Sequence, residues 1–134
     1  MPAPVEFLER VPLFSGLDRR QLQTIARSFK ERSFTEGQTV TEEGAGGVGF
    51  FVVEQGEAQV SVGGEPRGTL GPGDYFGEIA LIDEGIRSAT VVASTDLKCW
   101  GLTAWEFRPL VETNGEIAWG LLKGLAHRLR EAQL

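Results

Sequence analysis

The chain has 134 residues and a formal net charge of −6, with 41% hydrophobic and 24% charged residues. That size and balance fit one globular domain whose core needs neither disulfide nor metal. They exclude non-specific nucleic-acid binding, which runs on a basic surface, but leave room for a small anionic ligand held by a local positive site.

One cysteine, Cys99, permits no internal disulfide and fits a reducing compartment. No apolar run nears the roughly 18 residues that span a membrane. The start, MPAPVEFLERVPLF, lacks the basic opening and long apolar core of a signal peptide. The expected location is therefore cytoplasmic, with no membrane contact. Glycine is abundant, 18 against 6 prolines, without a collagen period. This points to many tight turns and many short strands.

In chain order, Val5, Phe7, Leu8, Val11, Leu13 and Phe14 predict a short helix that stops near Pro12. Asp18 is a good N-cap for a second helix, and Gln21 can complete a capping box. Leu22, Ile25, Ala26 and Phe29 follow at helical spacing. From there β-prone runs alternate with glycine as far as Leu70. Phe50 to Val53 is apolar throughout and predicts a buried strand, whereas Ala58 to Val62 alternates and predicts a half-exposed one. A second β section covers Arg87 to Ala93 and Leu97 to Leu102. Strand signals at this spacing predict a sandwich or barrel.

From Trp105 the pattern is helical. Phe107, Leu110 and Val111 mark one short helix, and Asn114 is expected to cap the next. In that last helix Ala118, Leu122, Leu125, Leu129 and Ala132 form a heptad seam of little more than two heptads, with Gly120 and Gly124 beside it permitting close approach. The seam covers the β-barrel, pairs with a second copy, or does both.

The stretch Gly71 to Ser94, GPGDYFGEIALIDEGIRSATVVAS, concentrates the chemistry. Gly77 before Glu78-Ile79-Ala80 places free backbone N–H groups at a helix start, where they can donate to an anion. Arg87 adds a permanent cation with a planar fork suited to phosphate oxygens, and Ser88 adds a hydroxyl donor. Glu78 is out of place beside phosphate but suits a sugar hydroxyl that donates to it. Together these donors and this acceptor suggest a phosphorylated ribose. The alternative for any isolated Glu/Arg pair is an ordinary ion pair on the rim.

The segment Phe76 to Val91, FGEIALIDEGIRSATV, resembles the phosphate-binding cassette of cyclic nucleotide-binding domains, whose usual pattern is F-G-E-[LI]-A-L-I followed by P-R-x-A-[TS]-V. Only Ile86 departs, standing where many members carry proline, and it removes no ligand-contacting group. The resemblance extends over nearly the whole chain. It implies a mainly β fold with flanking helices: an eight-stranded double-stranded β-helix (jelly-roll) barrel, with N-terminal helices and C-terminal B and C helices. The expected divisions of the single domain 1–134 are a helical entry at 5–29, a barrel at 30–104 and closing helices at 105–132.

Carried over by position, the resemblance implies that Glu78 binds the ribose 2′-hydroxyl and Arg87 pairs with the cyclic phosphate. Gly77, Ile79, Ala80, Ser88 and Ala89 would contribute around them, mostly through backbone. Trp119, Leu122 and Gln133 are candidate base or lid contacts. Arg128 looks placed like an arginine that reaches the ribose-binding glutamate in related bacterial regulators. The implied ligand is cyclic AMP ahead of cyclic GMP.

The single His127, the three tryptophans and the absence of a His/Cys cluster give no basis for a metal site, a catalytic triad or hydrolysis. The expected protein is thus a sensor without enzymatic turnover or cofactor and without direct DNA binding. It could form a homodimer through the C-terminal helix and acts on an unidentified effector. The rival is an interaction module of the same fold that has lost nucleotide binding.

Overall fold

The structure is a computed structural model that describes residues 3–41, 49–82 and 89–133; within these, the side chains of Ile79, Ala80 and Gln133 lie outside the description. Helix α1 (Val5–Leu8) is followed by a separate 3₁₀ turn, Pro12–Phe14, so the expected single N-terminal helix is two short pieces. Proline at the head of that turn explains the break, because it restricts the preceding residue to extended backbone, as at Val11. Helix α2 (Arg19–Ala26) opens on the expected capping box: the Asp18 side chain accepts from the Gln21 N–H at 2.9 Å, and the Gln21 side chain accepts from the Asp18 N–H at 2.9 Å.

Eight strands lie among the described residues: β1 (Lys30–Phe34), β2 (Thr39–Thr41), β3 (Gly49–Gln55), β4 (Ala58–Val62), β5 (Glu65–Leu70), β6 (Tyr75–Phe76), β7 (Thr90–Ala93) and β8 (Leu97–Thr103). They form two four-stranded antiparallel sheets, ordered β1-β8-β3-β6 and β2-β7-β4-β5. The expected closed barrel is therefore corrected to two open sheets. Among the described residues no ladder pairs a strand of one sheet with a strand of the other, and register shifts interrupt the pairings of β2 with β7, β3 with β8 and β4 with β5.

The apolar run of β3 is explained by burial on both faces. Phe50 and Val52 join the helices in one cluster, with Leu8, Leu13, Phe14, Ile25 and Phe29, whereas Phe51 and Val53 meet Ala58, Val91 and Ala93 of the other sheet. Alternation with period two divides the strand's side chains between these clusters. Phe50 is the centre of the helical one, making edge contacts with Phe14 at 5.9 Å, Phe29 at 5.8 Å and Tyr75 at 6.3 Å. Phe51 stacks on Phe76 at 5.2 Å.

Helix α3 (Ala104–Thr113) begins with a Thr103/Glu106 capping box. Helix α4 (Gly115–Gln133) follows at once. Asn114 does not cap α4 with its side chain: the amide turns back to donate to the Leu110 carbonyl at 2.8 Å, closing α3 instead. No helix among the described residues is long and apolar enough to cross a membrane.

The seam of α4 is also re-registered. Ala118 and Leu125 are half-buried, Leu125 against the helical cluster, while Trp119, Leu122, Ala126 and Leu129 face outward. Gly120 and Gly124 do serve a close approach, and its partner is the N-terminal turn. A Cβ at Gly124 would lie 2.7 Å from the Leu13 carbonyl oxygen, and one at Gly120 would run into Leu17 and Gly16.

Candidate functional site

The site begins where β6 ends. Gly77 takes φ +81°, a left-handed conformation that glycine adopts without steric cost, and a 3₁₀ turn over Glu78–Leu81 follows directly. This kink sends the Glu78 side chain inward, to 8% exposure, the one buried charged residue among those described.

Arg128 of α4 reaches Glu78 from the other side. Its Nη1 lies 3.1 Å from Glu78 Oε1, with the guanidinium side chain 35% exposed. The pair balances charge but leaves hydrogen bonding incomplete. Glu78 Oε2 and Arg128 Nη1 are both buried without a hydrogen-bond partner, so the 3.1 Å contact is an ion pair off the hydrogen-bonding line. Buried polar atoms left in this state cost about 1–3 kcal/mol each, and such exceptions call for a reason.

Burial pushes the Glu78 carboxyl above its ordinary range, against the pull of Arg128 and the Leu13 backbone. The nearby Tyr75 phenol is also raised, first by burial and then by the charge of Glu78. Chemically, an acceptor oxygen and a donor N–H lie side by side, both unsatisfied. A hydroxyl group fits them, because it donates one hydrogen bond and accepts others.

A family model described as a cyclic nucleotide-binding domain matches residues 31–114, most of the chain and all of the Gly77–Glu78 region. The chain belongs to the cyclic nucleotide-binding domain family.

Within this family the chain is 46% identical over 92 residues to a cAMP-dependent protein kinase regulatory subunit of Schizosaccharomyces pombe, covering 68% of this chain and 22% of that protein. It is 34% identical over 128 residues to the cyclic AMP receptor protein of Thermus thermophilus, covering 92% of this chain and 59% of that one. The fold superimposes on the N-terminal domain of a transcriptional regulator from Streptomyces coelicolor with a TM-score of 0.87, at 31% identity over 94% of both chains. The chain thus spans between about a fifth and three fifths of the length of these two curated relatives.

Of the residues expected in a cyclic nucleotide-binding site, the structure brings together Glu78 and Arg128 at the Gly77 kink. Ala89 is half-buried at the bend before β7, and Ile79 and Ala80 supply backbone to the 3₁₀ turn. Arg87 and Ser88 lie outside the described residues, as does the Gln133 side chain. Trp119 and Leu122 are 63% and 56% exposed. Trp119 precedes Arg128 by nine residues, two and a half helical turns, and so occupies the opposite face of α4.

Two contributors went unnamed in the sequence. Tyr75 stands inside the GPGDYFGE stretch, where a phenol before the glycine was the available signal. Leu13 acts through its backbone, which no side-chain pattern reveals. Among the described residues no group of His, Cys, Asp or Glu could hold a metal ion.

Proposed function

We propose that this chain is a ligand-sensing domain that binds a cyclic nucleotide at the Gly77–Glu78 turn, favouring cyclic AMP over cyclic GMP, and performs no chemistry on it. The observation that carries the reading is the buried Glu78 carboxylate, with one oxygen unpartnered beside an unsatisfied Arg128 nitrogen. The ribose 2′-hydroxyl is the group that satisfies both. Arg87 and the backbone from Gly77 to Ala80 hold the cyclic phosphate, with Ser88 and Ala89 alongside, in a turn carried by the two-sheet jelly roll. The names of both curated relatives refer to cyclic AMP, which supports that base.

Ligand binding then acts as a difference in affinity between two placements of α4, since a ligand shifts an equilibrium only by its differential interaction with the two states. Arg128 makes that link, because the helix and the ligand share Glu78. A cytoplasmic location and an effector contacted by this chain complete the reading.

Calorimetric titration tests it. Saturable binding of cyclic AMP is expected, with weaker binding of cyclic GMP. Silence with both nucleotides sinks the sensor and leaves the interaction module of the same fold; equal affinities sink only the base preference. Arg87→Ala should weaken cyclic AMP binding by about 10- to 100-fold, the range of a lost hydrogen bond to a charged group.

A further inference from the structure

The chain's single asparagine is followed by glycine, and this pair, Asn114-Gly115, falls at the junction of α3 and α4. Asn114 is half-buried, with φ −130° and ψ 88°, outside the helical region. Gly115 is exposed, and an added Cβ there would meet nothing within 4 Å. Its N–H is the first of α4 and has no partner within that helix. A side-chain amide one residue before an unshielded backbone nitrogen, in a non-helical link, is the arrangement from which an asparagine cyclises.

We propose that Asn114-Gly115 is a site of spontaneous covalent modification, deamidation, and that its aspartate product moves a helix cap from the end of α3 to the start of α4. The inference stands independently of the ligand reading. The Gly115 nitrogen gives its proton to hydroxide and attacks Asn114 Cγ. A bond from that nitrogen to Cγ forms and closes a succinimide ring. The Cγ–Nδ2 bond breaks, and Nδ2 takes a proton from water and leaves as ammonia, which regenerates the hydroxide. Water then opens the ring. Cleavage at the Cγ–N bond gives aspartate, and cleavage at the backbone C–N bond gives isoaspartate, whose main chain runs through Cγ.

The bonds of the amide define what the reaction removes. Asn114 Nδ2 donates to the Leu110 carbonyl at 2.8 Å and to Thr113 Oγ1 at 3.2 Å. A carboxylate can donate neither bond, and it sets negative charge at the carbonyl end of α3, where the helix dipole is already negative. A better partner lies on the other side. The Asn114 carbonyl accepts from the Ala118 N–H at 3.1 Å, the first bond of α4, which is the backbone role of an N-cap. Aspartate is among the preferred residues there, because its side chain accepts from the unpaired N–H groups at the positive end of the dipole. Isoaspartate acts differently. Its extra main-chain carbon precedes Ile117 and Leu121, both buried in the helical cluster, so the longer link displaces the docked start of α4.

Peptide mass mapping of the intact chain, aged at mildly alkaline pH, tests the site. Loss of ammonia is expected at Asn114, with isoaspartate alongside aspartate, and Gly115→Ala should slow it several-fold. The open space around Gly115 lets that variant keep the fold. Loss confined to chain aged in denaturant overturns the proposal, as does an unchanged rate in Gly115→Ala. Asn114→Asp installs one product directly, and amide hydrogen exchange then reads the cap. The N–H groups of Glu116 and Ile117 should exchange about fivefold more slowly than in the parent chain, the worth of an N-cap, and those of the last turn of α3 faster. Unchanged protection at Glu116 and Ile117 overturns the cap transfer even where ammonia is lost.

Discussion

Arg128 approaches Glu78 to 3.1 Å from the last helix, yet the contact leaves one carboxylate oxygen and the approaching guanidinium nitrogen without hydrogen bonds. A buried pair of this kind is more costly to break than to replace outright. Arg128→Met should lower stability by about 1–3 kcal/mol, the cost of an uncompensated charge beside a partly exposed partner. Glu78→Gln/Arg128→Met should recover most of the loss. Chemical denaturation of the two single variants and the double variant measures the coupling; strict additivity would show that the pair contributes nothing as a pair.

The raised pKa of Glu78 sets the sign of two pH effects. Above the ordinary carboxylate range the folded chain holds this proton more tightly than the unfolded chain does. The contribution of Glu78 to stability is therefore greatest at low pH and falls as pH rises through the folded-state pKa. Ligand binding runs the other way, because a hydroxyl donates to the ionised carboxylate. Cyclic AMP affinity should weaken as pH is lowered through that same window, and Glu78→Gln should bind weakly with a flatter profile. Calorimetric titrations across mildly acidic pH check the binding effect, and chemical denaturation over the same range checks the stability effect; a wild-type binding profile no steeper than that of Glu78→Gln counts against the assignment.

Gly124 lies against the backbone of the N-terminal turn, where an added Cβ would be 2.7 Å from the Leu13 carbonyl oxygen. Alanine is the better helix former by about 1 kcal/mol. Gly124→Ala should nonetheless destabilise the fold by about 1–3 kcal/mol, because overpacking against a fixed carbonyl outweighs propensity. Gly115→Ala is the control: nothing lies within 4 Å of its added Cβ. Thermal melts should show a lower Tm for the first variant and none of that loss for the second.

Cys99 is buried between the sheets, and desolvation pushes its thiol pKa up to about 12. A thiol held in that state is a poor nucleophile. The folded chain should react with a thiol reagent only as fast as it opens, so labelling kinetics report local or global unfolding of the two-sheet core. Rapid labelling of the native protein would contradict this placement.

Much of this was legible in the sequence for local reasons. The Asp18/Gln21 capping box, the doubly buried β3 and the glycine before Glu78 each follow from a few neighbouring residues. The Glu78–Arg128 pair was legible through resemblance alone, since fifty residues separate its members. What the pattern missed depends on tertiary context. Whether two sheets join depends on which strands exchange backbone hydrogen bonds, which apolar counting does not report. Asn114 turned back to Leu110 because either neighbouring helix offers it backbone groups. The α4 seam was placed one stripe away because Leu125 and Leu129 fit either register until the helix is docked, and only docking decides which leucine faces in.

The division of burial between two clusters has a mechanical consequence. Leu81 of the turn after Glu78 belongs with Leu13, Phe14 and the α4 residues Ile117 and Leu121, whereas the cluster between the sheets contains strand residues only. The β1-β8-β3-β6 sheet therefore meets the helices through Phe50, Val52, Trp100 and Leu102 and meets the other sheet through a separate set of side chains. A rearrangement at Glu78 would thus pass through Leu81 to the packing of the N-terminal pieces and α4, which is built from other side chains than the packing between the sheets.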